Sequence, residues 1–166
     1  MPGDSDYHEE INLKILRSLS QDSSKSFVDI AKELQVSDAT IHMRVKRLVA
    51  SGIIRKFTIS VDSAKLGYDH LAFMGVNIRQ GAADELTSEL ASFREVLEVH
   101  ELHGRFDLLV KIRARSLEEM RNIVVNKIRS MPQVIEVELM PVLRSAKEEP
   151  MVDLSEVAGP TDAAAS

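Results

Sequence analysis

Along the first sixty positions the apolar residues recur at helical spacing, and from about residue 70 strand-like runs alternate with helical stripes. Ile11, Ile15, Leu16 and Leu19 mark a first amphipathic helix, which the polar run SQDSSKS ends. Ser26 opens a second helix: its hydroxyl suits the free amides of a first turn, and Asp29 sits near the positive end of the dipole. Phe27, Ile30 and Leu34 form the buried stripe of that helix. Ser37 repeats the start signal for a third helix, with Asp38 again in the first turn. At about 100° per residue, Ile41, Val45, Leu48 and Val49 fall on one side. Ala39, Thr40, Met43, Lys46 and Arg47 point away, His42 and Arg44 lie on the flanks, and Gly52 supplies the stop. The stretch GIIRKFTISVD then predicts a short strand or hairpin with Ile54, Phe57, Ile59 and Val61 as its apolar positions.

Residues 70–142 predict the order βαββαβ. LAFMGVNIR is a strand, AADELTSELASF a helix with Leu86, Leu90 and Phe93 aligned, and VLEVHELHG and FDLLVKIRA are two further strands. SLEEMRNIVVNKIRSM is a helix started by Ser116, and VIEVELMPVL the last strand. This order points to a ferredoxin-like α/β sandwich, so the fold class is α+β. An antiparallel sheet with helices on one face leaves the other face open. Leu102, Leu109 and Met140 are candidates to supply apolar surface there, and the economical cover is a second copy, hence a homodimer.

Charge sharpens this picture. The chain of 166 residues is acidic overall, at net −5. Yet Lys25, Lys32, Arg44, Lys46, Arg47, Arg55 and Lys56 crowd residues 25–57 against only Asp29, Glu33 and Asp38. A polyanion would meet that local field rather than the average. A basic second helix after a short turn is the helix-turn-helix pattern, and a following β-element makes it winged. Ser37 and Thr40 in the first turns suit base edges in a DNA major groove, while Lys46 and Arg47 further along suit phosphates. Arg55 and Lys56 stand where a wing meets the backbone. A symmetric pair of such units would read two half-sites of double-stranded DNA.

Other chemistry is sparse. There is no Cys, which excludes disulfides and thiolate catalysis. No apolar run approaches the roughly 20 residues of a membrane span, and MPGDSDYHEEIN lacks the apolar stretch of a signal peptide, so the expected location is cytoplasmic. His100 and His103 form H-x-x-H, but on a strand they face opposite ways and make poor joint metal ligands. With no nucleophile beside a base and no glycine-rich phosphate loop, neither an enzyme nor a cofactor is expected.

The chain resembles the Lrp/AsnC family of transcription regulators. INLKILRSL, DIAKELQVSDATIHMRVKRLVASGIIRKFTISVDSAKLGY, VLEVHELHGRFDLLVKIRARSLEEM and MPQVIEVELMPVL follow the family pattern in order over roughly residues 7–144. The resemblance implies a winged helix-turn-helix over 7–62 and a ferredoxin-like ligand-binding and oligomerisation domain over 63–144. It also implies dimers that assemble further, commonly to octamers, and regulation by amino acids. Ser37, Thr40, Arg44, Lys46 and Arg47 would face DNA, with His42, Met43, Arg55 and Lys56 close by, although Arg44 also suits an ion pair to a neighbouring helix. The family's G-x-x-D effector motif matches Gly104 and Asp107: an amide near Gly104 would take a carboxylate, and Asp107 an ammonium. Gln35 stands where the family usually has Gly. Val137 and Leu139 replace two Thr that line the family's pocket, which disfavours a short polar effector, and His103 replaces a small residue, where it either adds a donor or fills the pocket. A DNA-coating architectural protein without an effector stays open beside the regulator. The acidic tail, 145–166, is expected to be disordered apart from a short helix about MVDLSEVA.

Overall fold

A computed structural model of the chain describes residues 9–157. Residues 7 and 8 of the expected first domain and 158–166 of the tail lie outside the described residues. The described chain forms two compact units. One combines the residues up to Ser60 with the segment from Glu149 onward, and the other spans Val61–Glu148.

Three helices build the first unit: α1 (Glu10–Gln21), α2 (Phe27–Glu33) and α3 (Asp38–Ala50). The caps fall where the serines predict. The Asp29 amide donates to Ser26 Oγ at 3.1 Å, and the Thr40 amide to Ser37 Oγ at 3.1 Å. Ile15 and Leu19 of α1, Ile30 of α2, and Ile41, Val45 and Leu48 of α3 close one apolar core. Between α2 and α3, Gln35 has φ 56°, so a side-chain-bearing residue occupies the left-handed turn that glycine would take without strain.

Two expectations fail here. Val49 is 46% exposed rather than buried, because it lies about 80° round the helix from Ile41 and beyond the reach of the other two helices. Residues 53–62 form no strand: Phe57, Ile59 and Val61 stay exposed, since a strand exists only as a ladder and the described residues offer this stretch no partner.

The second unit has the predicted order: β1 (His70–Ile78), α4 (Ala83–Ala91), β2 (Val96–Glu101), β3 (Leu108–Ala114), α5 (Leu117–Asn122) and β4 (Val134–Pro141). The sheet order is β2-β3-β1-β4, with all neighbours antiparallel. After Asn122 the helix widens into a π-helical stretch, Ile123–Ile128. Its i→i+5 bonding keeps Ile123 and Ile128 together on the buried side. Met74 and Val76 of β1 and Val110 and Ile112 of β3 meet Leu86, Leu90, Met120, Ile123 and Ile128 in the core.

Register assigns the other face. Cross-strand partners share a side of the sheet. Leu109 opposes Gly75 and His100, Met140 opposes Phe73, and Lys111 opposes Phe73 and Glu98. This face therefore mixes apolar positions with charges, and part of it is covered by the chain itself. Glu148 bridges Lys111 Nζ at 2.5 Å and Arg113 Nη2 at 3.0 Å, with Glu98 on Lys111 at 3.0 Å.

Within MVDLSEVA, where a short helix is expected, residues 154–156 form a 3₁₀ turn, and Arg17 of α1 donates to the Leu154 carbonyl.

Candidate DNA-binding face and ligand-domain turn

Ser37 caps α3, and its hydroxyl lies 2.8 Å from Thr40 Oγ1, so the two hydroxyls are held together at the start of the helix. Beyond them His42, Met43, Lys46 and Arg47 are exposed on one side of α3, and Arg55 and Lys56 are exposed after Gly52. His42 rests edge-on against Phe27, with ring centroids 4.8 Å apart, which fixes its direction. Among the described residues Lys46, Arg47, Arg55 and Lys56 make no ion pair, leaving their charge available to a polyanion.

Arg44 differs. Its Nη1 donates to the Glu9 carboxylate and, at 3.1 Å, to Asn12 Oδ1, so this cation is spent tying α3 to the first turn of α1. The hydrogen bond and the charge of Arg44 hold the Glu9 carboxyl below the usual carboxylate range. Of the two roles open to Arg44, the ion pair is the one this geometry displays. Glu9 and Asn12 carried no signal in the sequence, because only folding brings them to a cation more than thirty residues away.

In the second unit the turn from β2 to β3 is pinned at its ends. Leu102 N–H donates to the Asp107 carbonyl at 2.8 Å, and Asp107 N–H to the Val76 carbonyl at 3.1 Å. Asp107 Oδ2 accepts the Ile78 amide at 2.8 Å. One carboxylate oxygen thus closes the end of β1. Phe106 lies against the backbone of Gly75, and the Arg105 guanidinium stacks 5.0 Å from its ring centre while pairing with Glu138 at 2.5 Å.

Asp107 borders an open cleft of about 370 Å³ lined also by Ile78, Arg79, Gln80, Gly81, Ala83, Glu101, Leu102 and Leu108. His103 and Gly104 stand in the exposed turn beside it and do not line it. Val137 and Leu139 lie on β4, away from the β2–β3 turn. They oppose Val76 and Met74 and pack against the helix-covered core, because strand alternation turns them away from the open face. Arg79, which carries no motif in the sequence, lines the same cleft as Asp107. Its position just after a strand, before the Gly81 turn, was the only hint.

A helix-turn-helix with free cations on its second helix, joined to a βαββαβ domain bearing a cleft, defines a DNA-binding regulator with a separate ligand-type domain. Residues 8–55 match the winged helix-turn-helix DNA-binding family and residues 71–152 the Lrp/AsnC ligand binding domain. The HTH-type transcriptional regulator FL11 of Pyrococcus horikoshii is 39% identical over 140 residues, covering 84% of this chain and 92% of the relative. The regulatory protein AsnC of Haemophilus influenzae is 30% identical, covering 84% and 97%. Among solved structures, E. coli AsnC superposes with TM-score 0.79 at 26% identity, covering 86% of this chain and 97% of that one. The transcriptional regulator NMB0573 of Neisseria meningitidis, solved as a complex with L-Met, shares the fold at TM-score 0.82 and 21% identity, covering 90% and 99%. The chain belongs to the Lrp/AsnC family of transcription regulators and is not an enzyme. Among the described residues no helix is long and apolar enough to cross a membrane.

Proposed function

We propose that the outward side of α3 reads double-stranded DNA, with Ser37 and Thr40 nearest the bases, His42 and Met43 beside them, and Lys46, Arg47, Arg55 and Lys56 on phosphates. The observation that carries this is the division of labour on one helix: Arg44 is consumed by Glu9 and Asn12, whereas Lys46 and Arg47 are exposed and make no ion pair among the described residues. Arg44 then orients the reading helix rather than touching DNA. The protein works as a cytoplasmic homodimer or a larger assembly such as an octamer. In support, Phe57, Ile59 and Val61 alternate as exposed apolar positions on an unpaired extended stretch, which a second copy would cover.

The effector reading centres on the cleft at Asp107. A zwitterionic amino acid needs an anion for its ammonium and a cation or amides for its carboxylate. Asp107 has an oxygen beyond the one that Ile78 uses, and Arg79 borders the same space. Nothing in the fold requires glycine at 104: its φ is not left-handed, and a Cβ there would meet nothing within 4 Å. That leaves an approach to the turn's backbone as the reason for a small residue, with His103 alongside. Val137 and Leu139 shape the site only from behind, through the core under β1.

The test is DNA binding across a salt series, on selected and on random DNA, with each amino acid added. A large specific-to-random ratio that one amino acid shifts supports the regulator. Equal affinity for both DNAs and no response to any amino acid would show an architectural coat instead.

A further inference from the structure

The segment after β4 leaves the ligand unit and returns to the DNA-binding unit. Its first anchor is Glu148, whose two oxygens each hold a cation on the open sheet face, Lys111 and Arg113. Five residues later Asp153 opens a 3₁₀ turn, its carboxylate accepting the Ser155 amide at 2.9 Å. The Val157 amide closes this turn onto Leu154 O at 3.4 Å, and the carbonyls of the turn keep further acceptor capacity. Here they converge on one side chain of α1: Arg17 Nε donates to Leu154 O at 2.8 Å, and Nη2 donates to Val157 O at 2.9 Å and Ser155 O at 3.3 Å. A guanidinium offers several donors in a fixed plane, so it matches such a set of acceptors better than an ammonium does.

The chain therefore passes between the units twice, at residues 60–61 and again at 148–149. The family's ligand-domain match ends at residue 152, and the turn that Arg17 grips lies just past it.

We propose that residues 148–157 form a second tether, with Arg17 as its receptor on the DNA-binding unit. Glu148 fastens the strap to the ligand unit and the Asp153–Val157 turn fastens it to α1. Helix α1 is also the helix that braces the reading helix, through Glu9 and Asn12 on Arg44. A change in the ligand unit thus has a route to α3 other than the chain at residue 60. The strap recognises an arginine on a helix surface through backbone carbonyls, so its specificity lies in the shape of the turn more than in its side chains.

Hydrogen–deuterium exchange on the full chain, with neither DNA nor effector, tests this independently of the proposed ligands. In the wild type, peptides covering 153–157 and α1 should be protected. Arg17→Ala and truncation after Glu148 should each speed exchange in α1 by about tenfold, the loss expected for a hydrogen bond to a charged group, with the sheet unit unchanged. Arg17→Lys should fall between. Free-peptide exchange at 153–157 in the wild type would overturn the tether. So would unchanged α1 protection in both Arg17→Ala and the truncated chain.

Discussion

Replacing Gly75 by Ala puts a methyl group where the Phe106 ring now lies. A Cβ at Gly75 would stand 2.5 to 2.6 Å from three atoms of that ring. Carbon atoms pack comfortably at about 3.5–4.0 Å, so the ring must retreat by roughly 1 Å or more. It cannot slide far with its backbone, because the next residue, Asp107, is hydrogen-bonded to Val76, Ile78 and Leu102. The ring must instead swing toward solvent. Phe106 is half-buried, so it forfeits about half of a full phenylalanine burial, roughly 1–1.5 kcal/mol. Losing the Arg105 stacking adds about 0.5–1 kcal/mol. The total, about 1.5–2.5 kcal/mol, should lower the melting temperature of the sheet unit by roughly 6–20 °C. Calorimetric melting of Gly75→Ala beside the wild type measures it, and the residue-75 methyl should show no ring-current shift from Phe106 in NMR spectra. A melting temperature within about 1 °C of the wild type, with that methyl ring-shifted, would refute the packing argument.

Three further outcomes are expected. Arg47→Ala and Lys46→Ala should each weaken binding to all DNA sequences and reduce the salt slope by about one unit, whereas no change in either at low salt would remove this face from DNA. Gln35→Gly should raise the stability of the helical unit by up to about 1 kcal/mol, because it relieves a left-handed backbone at φ 56°; a destabilised variant by thermal melting would contradict that strain. The Lys111 cluster sets a pH window. Glu148 and Glu98 are held below their ordinary 4.5, first by hydrogen bonds from Lys111, so their contribution is present above 4.5 and lost as pH falls through the lower folded values. Burial pulls Lys111 down, but Glu148 and Glu98 outweigh it and raise it above 10.5, so its contribution is present below 10.5 and lost as pH rises through the folded value. Between those limits this cluster should leave the melting temperature flat, and Glu148→Gln should flatten the acid limb.

Local rules sufficed for much of this protein. Ser26, Ser37 and Ser116 each start a helix where a short hydroxyl meets a free amide, and the apolar spacing marks Ile15, Ile30, Ile41, Leu86 and Leu90, all of them fully buried. The strand and helix order after residue 70 follows from alternation and helical stripes within one element at a time. What only the tertiary structure decided depends on residues far apart in sequence. Arg44 meets Glu9 and Asn12 only because folding brings α1 beside it. Val137 and Leu139 went to the covered face because the register of β4 against β1 set which side they take. The segment 53–62 has strand chemistry, yet a ladder needs a partner that local pattern cannot supply. Local pattern places a short helix in the tail, but that Arg17, 137 positions away from Leu154, donates to that carbonyl is decided only by packing. Periodicity reports how one element meets an apolar surface; which charge or carbonyl it meets there is settled only when distant segments pack.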